Sequence, residues 1–214
     1  IMLSRLLHEH WADLMIRVFI LIILVLQGCA YASKDIFNIA KNQITGFTQL
    51  DVGIEDINKS KYSFMMVKLG RGPEIKLILN SHKDGLYEWI SADMERIYTY
   101  KGLIVRTQSL EHNLLIKDFK NFSLADKSQT LIVSFDNPEL INASINFRIK
   151  KLGKSKVSNV YGNLEEYELF KEMPDIGWKS KGRFWLSEDG QVIESIQKFH
   201  PFYQKIHFRI FLKY

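Results

Sequence analysis

Apolar and polar residues alternate along most of this chain after residue 60. The final segment shows the pattern clearly, because Ile206, Phe208 and Ile210 fall on one face and polar or charged residues lie between them. A period of two is typical of a half-buried β-strand, in which successive side chains point to opposite faces. Strands are predicted over residues 61–69, 74–80, 86–92, 96–100, 103–109, 130–135, 144–150, 157–161, 167–170, 182–187, 192–199 and 205–214.

Short segments that contain Gly, Pro, Asn or Asp separate several of these strands. Turns are predicted at residues 71–73, 83–85, 136–138 and 188–190, where these residue types supply the required backbone angles. A loop is also predicted around Gly153. Many short strands joined by turns predict an all-β domain of curved antiparallel sheets that form a sandwich or a half-open barrel.

One segment near the N-terminus has the spacing of an amphipathic helix instead. Residues 34–46 place Ile36, Ile39 and Ala40 on one apolar face. Ser33 can cap the start of this helix, and Gly46 can end it. We therefore expect a short N-terminal helix, which gives the all-β fold a minor α component.

The first residues have the pattern of a secretory signal peptide. Arg17 precedes the apolar run Val18–Leu26, and a charged start before a short apolar core is the pattern of such a leader. The run is shorter than the about 20 apolar residues that a membrane-spanning helix needs. Either Met2 or Met15 can be the initiator of this leader.

Cys29 is the only cysteine of the chain and lies in Leu26-Gln27-Gly28-Cys29, which resembles a bacterial lipobox. The resemblance implies cleavage before Cys29 and lipid chains on its sulfur, such as palmitate. Residues 1–28 are thus predicted as the signal peptide and residues 29–214 as a single periplasmic β-rich domain. Ala30 stands where an aspartate would retain the protein in the inner membrane, so the periplasmic face of the outer membrane is the predicted location. Two alternatives are an ordinary signal peptide with a chance cysteine and an uncleaved anchor.

The formal net charge of +5 comes from basic residues that are spread along the chain. Such mild basicity suits contact with anionic lipid headgroups or with an acidic polysaccharide, although most such residues only keep a surface solvated. Nucleic-acid binding needs a concentrated basic face and a cytosolic address. The export signal argues against that address, so no nucleic-acid partner is expected.

Motifs of catalysis are missing from the sequence. It contains no Gly-rich phosphate loop, no Gly-x-Ser-x-Gly and no His-Glu-x-x-His. His200 and His207 would face opposite ways on one strand, which Pro201 interrupts, and this arrangement argues against a metal site. Asp93 and Asp189 fall in turns, where a solvated carboxylate has no reason for the raised pKa of a general acid. We expect no enzymatic activity, no cofactor and no metal.

Two segments of the chain resemble each other. Residues 89–97 and 185–193 carry Trp, Ser, Asp and Ile at the same offsets, beginning with Trp89 and Trp185. The similarity is either a coincidence between two ordinary hairpins or a duplication that packs two equivalent tryptophans in one core. Both rings could stack on sugars, although tryptophans in strands more often belong to the core.

Arg106 is a single charge that follows the apolar residues 103–105. Alternation places it on the face opposite Val105 and Thr107. The planar guanidinium suits bidentate contact with a carboxylate, including one on an acidic sugar. The alternative is a structural arginine that is solvated or paired with an aspartate.

Several motifs of this chain resemble the YjbF/GfcB family of polysaccharide-export lipoproteins. That family carries roughly Trp-x-Ser-Ala-Asp and then Gly-Arg-Ile-Val-Arg-Thr-x-Gly-Leu, which residues 89–93 and 102–110 follow, with Leu103 and Ser109 as departures. Residues 184–201 also fit the end of the family pattern. The resemblance implies an outer-membrane lipoprotein that is not an enzyme, acts with exopolysaccharide or group 4 capsule secretion machinery, and has other envelope proteins of that machinery as partners.

Three hypotheses of function follow. The first is an accessory protein that binds envelope partners or glycan. The second is a periplasmic carrier that holds a lipid or a lipoprotein in the concave face of an open barrel. A large apolar cavity would favour the carrier, and a filled core would favour the accessory protein. A glycan-modifying enzyme, the third, would need two carboxylates about 5 to 10 Å apart in a cleft.

Overall fold

A computed structural model describes residues 52–158 and 162–213, which belong to one compact unit, residues 47–214. The predicted leader, Cys29 and the predicted helix 34–46 lie outside these residues. None of the helices in the described ranges is long and apolar enough to cross a membrane. The elements are α1 (Ile54–Lys59), β1 (Phe64–Leu69), β2 (Glu74–Lys83), β3 (Leu86–Ile90), β4 (Arg96–Tyr100), β5 (Leu103–Gln108), β6 (Leu114–Ile116), β7 (Ser128–Asp136), β8 (Glu139–Ser158), β9 (Gly162–Met173), β10 (Trp178–Leu186), β11 (Val192–Gln197) and β12 (Ile206–Phe211), with short 3₁₀ helices at Phe119–Asn121 and Pro174–Ile176.

The strands form one closed antiparallel barrel. Each strand pairs with its neighbours in sequence, and β12 pairs with β1 to complete the ring. The closing register places Phe64 opposite Phe211 and Leu69 opposite Ile206. This confirms the predicted all-β class, and closure leaves no unpaired sheet edge.

Large apolar side chains fill the interior of the barrel. Alternate residues of the strands point inward, as the period of two predicts. They form one continuous core cluster that includes Trp89, Phe147, Phe184 and Phe208, each with an exposed fraction of 0%. Phe122, from the connection between β6 and β7, packs edge-on against Phe147 with ring centroids 5.7 Å apart. A packed core thus occupies the space that the ligand of a carrier would need.

The hairpin turns explain how the strands reverse. Lys101 and Gly102 have φ values of 46° and 75°, and Asp84 and Gly85 have values of 52° and 78°. Positive φ at both central residues defines a type I′ turn, whose twist matches that of the flanking strands. The turn predicted at residues 83–85 is confirmed.

The structure differs from the predicted strands in two places. The loop predicted around Gly153 is wrong, because β8 continues without interruption from the segment predicted as 144–150 to Ser158, and residues 159–161 of the next predicted strand lie outside the described residues. The register instead shifts between Lys151 and Gly153, and the φ of 129° at Gly153 accommodates that bulge. β6 was not predicted, since its three consecutive apolar residues show no alternation.

Antiparallel pairing divides the connections between the two ends of the barrel. We call one the distal end, because β1 begins at the opposite end. The distal connections are residues 70–73, 91–95, 109–113, 137–138, 174–177 and 198–205.

Candidate functional site

Arg106 lies on β5 with its side chain exposed on the outer face of the barrel. Its neighbours Val105 and Thr107 are buried, as alternation predicts. The guanidinium carbon lies 5.1 Å from the centroid of the Tyr98 ring on β4, which is cation–π distance. Within residues 52–158 and 162–213, Arg106 forms no ion pair. Its charge is therefore available to a ligand.

Glu88, whose carboxylate lies close to Tyr98, already has hydrogen-bond and ion-pair partners. It accepts hydrogen bonds from Asn80 and Ser81, at 3.0 and 2.8 Å, and it pairs with Arg96 at 2.9 Å. Its Oε1 also lies 3.0 Å from the Tyr98 hydroxyl. Partial burial acts to raise the pKa of Glu88, but these partners outweigh it and hold the pKa below its usual value.

A cleft of about 610 Å³ begins at Arg106 and extends between β5, β6 and the β7–β8 hairpin. The strands separate here because β5 and β6 share only one register pair, Arg106 with Leu115. Its wall combines polar residues, such as Gln108 and Glu139, with apolar ones, such as Leu114. The cleft is therefore a product of the weakest pairing in the described barrel wall.

Asp136 forms the acidic side of this cleft. Asn113 donates to both of its carboxylate oxygens, from the backbone at 2.6 Å and from the side chain at 2.7 Å. Partial burial acts to raise the pKa of Asp136, yet the hydrogen bonds from Asn113 outweigh it and lower the pKa. Glu139 lies directly opposite Asp136 in the register of β7 and β8. The cleft thus combines a cation with hydrogen-bond acceptors.

A second pocket, of about 430 Å³, adjoins the cleft at the distal end. It shares Phe135 and Glu139 with the cleft. Its other walls are mostly apolar, and they come from the 174–177 and 198–205 connections and from the start of β8 and β10. We call it the apolar pocket; it is lined by Phe135, Pro138, Glu139, Leu140, Ile176, Gly177, Trp178, His200, Pro201 and Phe202.

The two predicted tryptophan positions do not share one core. Trp89 is fully buried inside the barrel, where its Nε1 donates to Thr99 Oγ1 at 2.9 Å. Trp185 is 6% exposed and packs in a separate small cluster with Leu164 and Ile193. The interpretation as equivalent tryptophans in one core is therefore wrong. Burial of both rings favours a structural role over stacking on sugars.

The similarity between the two tryptophan hairpins comes from their turns. Ser91 N donates to Glu95 O at 3.0 Å, and Ser187 N donates to Gln191 O at 2.9 Å. The fourth residue of each turn has positive φ, 64° at Met94 and 81° at Gly190. The first turn lies at the distal end and the second at the opposite end. These are two ordinary hairpins that use the same turn.

Sequence reasoning missed the part of the site that distant segments build. His112 and His200 stack with ring centroids 5.1 Å apart, although no sequence motif joins them. His112 Nδ1 lies 2.6 Å from Asn137 O, next to the turn predicted at residues 136–138. No group of three metal-binding side chains occurs within the described part of the chain. The predicted turn was the only local signal for this region.

These features define a class of protein: a closed antiparallel barrel with a filled interior, whose clefts lie between strand ends and loops at one end. The chain belongs to the family described as "Group 4 capsule polysaccharide lipoprotein gfcB, YjbF", whose sequence model matches residues 38–211. Membership indicates a lipoprotein that is anchored to a membrane of the cell envelope.

Two curated relatives come from Escherichia coli K12. The chain is 24% identical over 189 residues to the uncharacterized lipoprotein GfcB, and the match covers 81% of this chain and 87% of that protein. It is 28% identical over 96 residues to the uncharacterized lipoprotein YjbF, a match that covers 45% of each. The crystal structure of the hypothetical lipoprotein YmcC from the same organism has a TM-score of 0.64 at 20% identity and covers 75% of this chain and 88% of that one. This likeness supports the fold.

Proposed function

We propose that this protein is a lipid-anchored accessory of exopolysaccharide or capsule secretion, which acts by binding glycan or envelope partners. Family membership supports the connection with capsule polysaccharide. The observation that carries the proposal is Arg106, an exposed cation at the rim of a cleft, without an ion-pair partner in the described ranges. The protein recognises its ligand there and does not transform it.

An acidic sugar complements the chemistry of the cleft. The guanidinium of Arg106 can bind a sugar carboxylate through two parallel hydrogen bonds, while the Tyr98 ring supports it from one side. Sugar hydroxyls donate hydrogen bonds, and Asp136 and Glu139 line the same cleft as acceptors. An acidic surface of an envelope protein would use the same cation.

The ionised state of Asp136 supports binding rather than hydrolysis. Glycoside hydrolysis requires a carboxylic acid whose pKa is raised, so that it can protonate the leaving group. Asp136 has its pKa lowered by the hydrogen bonds of Asn113, and it therefore stays ionised. An ionised carboxylate accepts hydrogen bonds from a sugar and has no proton to donate.

A lipid on Cys29 would hold the protein at the periplasmic face of the outer membrane. The lipobox resemblance and the family support this anchor. Stable anchoring needs more than one acyl chain, and a processed bacterial lipoprotein cysteine carries several. The filled barrel interior gives no support to the alternative of a lipid carrier.

The experiment is deletion of the gene followed by complementation with the wild type or with Cys29→Ser. We expect deletion to lower surface polysaccharide while intracellular glycan synthesis continues, because the protein acts after synthesis. Wild type should restore the surface polymer, whereas Cys29→Ser should remain an unprocessed precursor without fatty-acid labelling and restore little. Normal surface polysaccharide in the deletion strain contradicts the proposed role, and unchanged labelling of Cys29→Ser contradicts the anchor.

A further inference from the structure

We propose that the apolar pocket is a second glycan subsite, which binds the acetamido group of an N-acetylated sugar unit. This inference rests on the proposed contact with glycan and adds a separate site with its own chemistry. The pocket adjoins the Arg106 cleft through the shared residues Phe135 and Glu139. A polymer that lies in the cleft can therefore continue into the pocket.

Two residues that line the pocket each carry a buried nitrogen without a hydrogen-bond partner. Trp178 Nε1 and His200 Nε2 are both buried, and neither reaches an acceptor in the described residues. Both residues line the pocket. Buried donors are normally paired, since an unpaired one loses its hydration without compensation. A ligand that brings an acceptor would satisfy them.

The tautomer of His200 makes its Nε2 a donor. The backbone N–H of Phe202 donates to His200 Nδ1 at 3.2 Å, so Nδ1 carries the lone pair. Burial, reinforced by the neighbouring His112, lowers the pKa of His200 to about 4, and the ring is neutral at neutral pH. A neutral imidazole that accepts at Nδ1 carries its proton on Nε2. Two residues that line the pocket thus carry unpaired N–H groups, one on an indole and one on an imidazole.

The chemistry of the walls selects the ligand. An acetamido group has a carbonyl oxygen with two lone pairs, which can accept from two N–H donors. It also has a methyl group, which suits the apolar side chains of Leu140 and Ile176 in the same pocket. A hydroxyl in its place provides an acceptor but no methyl group. A cationic group has no lone pair with which to accept hydrogen bonds from these two donors.

The shape of the pocket favours a sugar over a protein partner. Small-molecule sites are concave and measure about 300–1,000 Å³, and this pocket is about 430 Å³. A stable protein partner would need a broad surface, about 800 Å² on each side. At the rim, the ring of Phe202 is 64% exposed, and an exposed aromatic face can lie against a sugar ring.

The test uses the full-length lipoprotein in detergent micelles, with chitotriose and cellotriose as probes. These trisaccharides differ in carrying an acetamido group or a hydroxyl at each C2. Isothermal titration calorimetry should detect chitotriose binding, and cellotriose should bind about ten-fold more weakly or not at all. Equal binding of the two, or no chitotriose binding at millimolar concentration, overturns the proposal.

Variants then locate the site. Trp178→Phe removes the indole N–H and keeps an aromatic ring, and it should weaken chitotriose binding about 3- to 10-fold, the effect of one hydrogen bond. Phe202→Ala, at an exposed position, should also weaken binding and carries little risk to folding. Trp185→Phe is the matched control at the opposite end of the barrel and should leave affinity unchanged. Unchanged affinity in both Trp178→Phe and Phe202→Ala overturns the assignment.

The outcome separates this site from the Arg106 cleft. Arg148→Ala, outside both the cleft and the pocket, should leave affinity for chitotriose unchanged. If deletion leaves surface polysaccharide normal while chitotriose binds through Trp178, the secretion role fails and the subsite stands. If chitotriose does not bind but Trp178→Phe lowers surface polysaccharide, the pocket serves a protein partner and the subsite proposal fails.

Discussion

Lys171 is a basic side chain enclosed in the apolar barrel. It is 4% exposed, and its Nζ donates to Gln197 Oε1 at 3.1 Å and to the backbone carbonyl of Lys198 at 3.3 Å. Gln197 continues the network by donating to Gly102 O and Ser195 Oγ. Burial lowers the pKa of Lys171 to about 7 from its ordinary 10.5, and among the described residues no carboxylate forms an ion pair with the amine.

The lowered pKa of Lys171 predicts a pH-dependent stability. Between about pH 7 and pH 10.5, the unfolded chain binds a proton at this site that the folded chain releases. The free energy of unfolding should therefore rise with pH across this window, by up to ~1.4 kcal/mol per pH unit from this group. Urea unfolding of the wild type and of Lys171→Met across that range checks it, because the variant lacks the group.

Lys120→Met, at an exposed position, is the control and should follow the wild type at every pH. The free energy of unfolding of the wild type, minus that of Lys171→Met, should rise as pH rises across this window. A difference that stays constant with pH would mean that Lys171 keeps its charge in the folded protein.

Trp89 is the large aromatic side chain whose removal tests the core. Trp89→Ala should lower the free energy of unfolding by ~3–5 kcal/mol, because it leaves a cavity in a packed interior. Trp89→Phe should cost less, but it also removes the hydrogen bond to Thr99. Chemical denaturation measures both. A near-neutral Trp89→Ala combined with lost glycan binding would assign the ring to recognition instead.

At the scale of elements, the β4–β5 turn depends both on its backbone conformation and on its packing against a neighbouring strand. Gly102 has a φ of 75°, and a Cβ there would lie 2.5 Å from the Val192 side chain on β11. Gly102→Ala should therefore lower the free energy of unfolding by ~2–4 kcal/mol, from strained backbone and overpacking combined. Gly190→Ala is matched to it, since φ is 81° but no atom lies within 4 Å. Equal losses in the two variants, measured by denaturation, would exclude the contact with Val192 as a cause.

Strand positions were predictable where one face of the sheet is buried and the other is wet. β12 shows this, because Ile206, Phe208 and Ile210 enter the core while the intervening residues face outward. Phe211 breaks the pattern because the outer face has its own cluster, in which Phe211 stacks on Phe64 with ring centroids 4.8 Å apart. β6 could not be predicted, since its three consecutive apolar residues show no alternation of apolar and polar positions.

Features that depend on pairing between distant segments could not be predicted from the sequence. Closure of the barrel requires β1 to meet β12, and alternation gives no information about partners. A glycine such as Gly153 is compatible with either a loop or a β-bulge. Only the pairing of β8 with β9 distinguishes the two. Turn chemistry alone therefore led to a loop.

The candidate site was predictable only in part for the same reason. Arg106 was found because a charge in an apolar stretch is a local anomaly. Asp136, Asn113, Trp178 and His200 carry no such signal, because each is an ordinary residue in its own segment. The folding of the barrel brings their connections to one end, and the site exists only there.

At the scale of the whole molecule, the barrel separates two tasks. The interior is filled and supplies stability, while the distal ends of the strands and their connections form the cleft and the apolar pocket. The first described elements are α1 and then β1, which begins at the opposite end. Binding residues can therefore be changed with little effect on the core.

The proposed function requires that Arg106 contact an acidic partner during polysaccharide secretion. The most direct measurement is the amount of surface polysaccharide in cells that carry Arg106→Ala in place of the wild-type gene. Loss of a bidentate charged contact lowers affinity by ~10- to 100-fold, so the surface polymer should fall while protein level, thermal stability and intracellular glycan stay unchanged. Arg148→Ala is the control, because that arginine is also exposed and also lies near an aromatic ring, at 5.8 Å from Phe170, but outside the cleft. Wild-type surface polysaccharide with Arg106→Ala, or an equal fall with Arg148→Ala, would contradict the account.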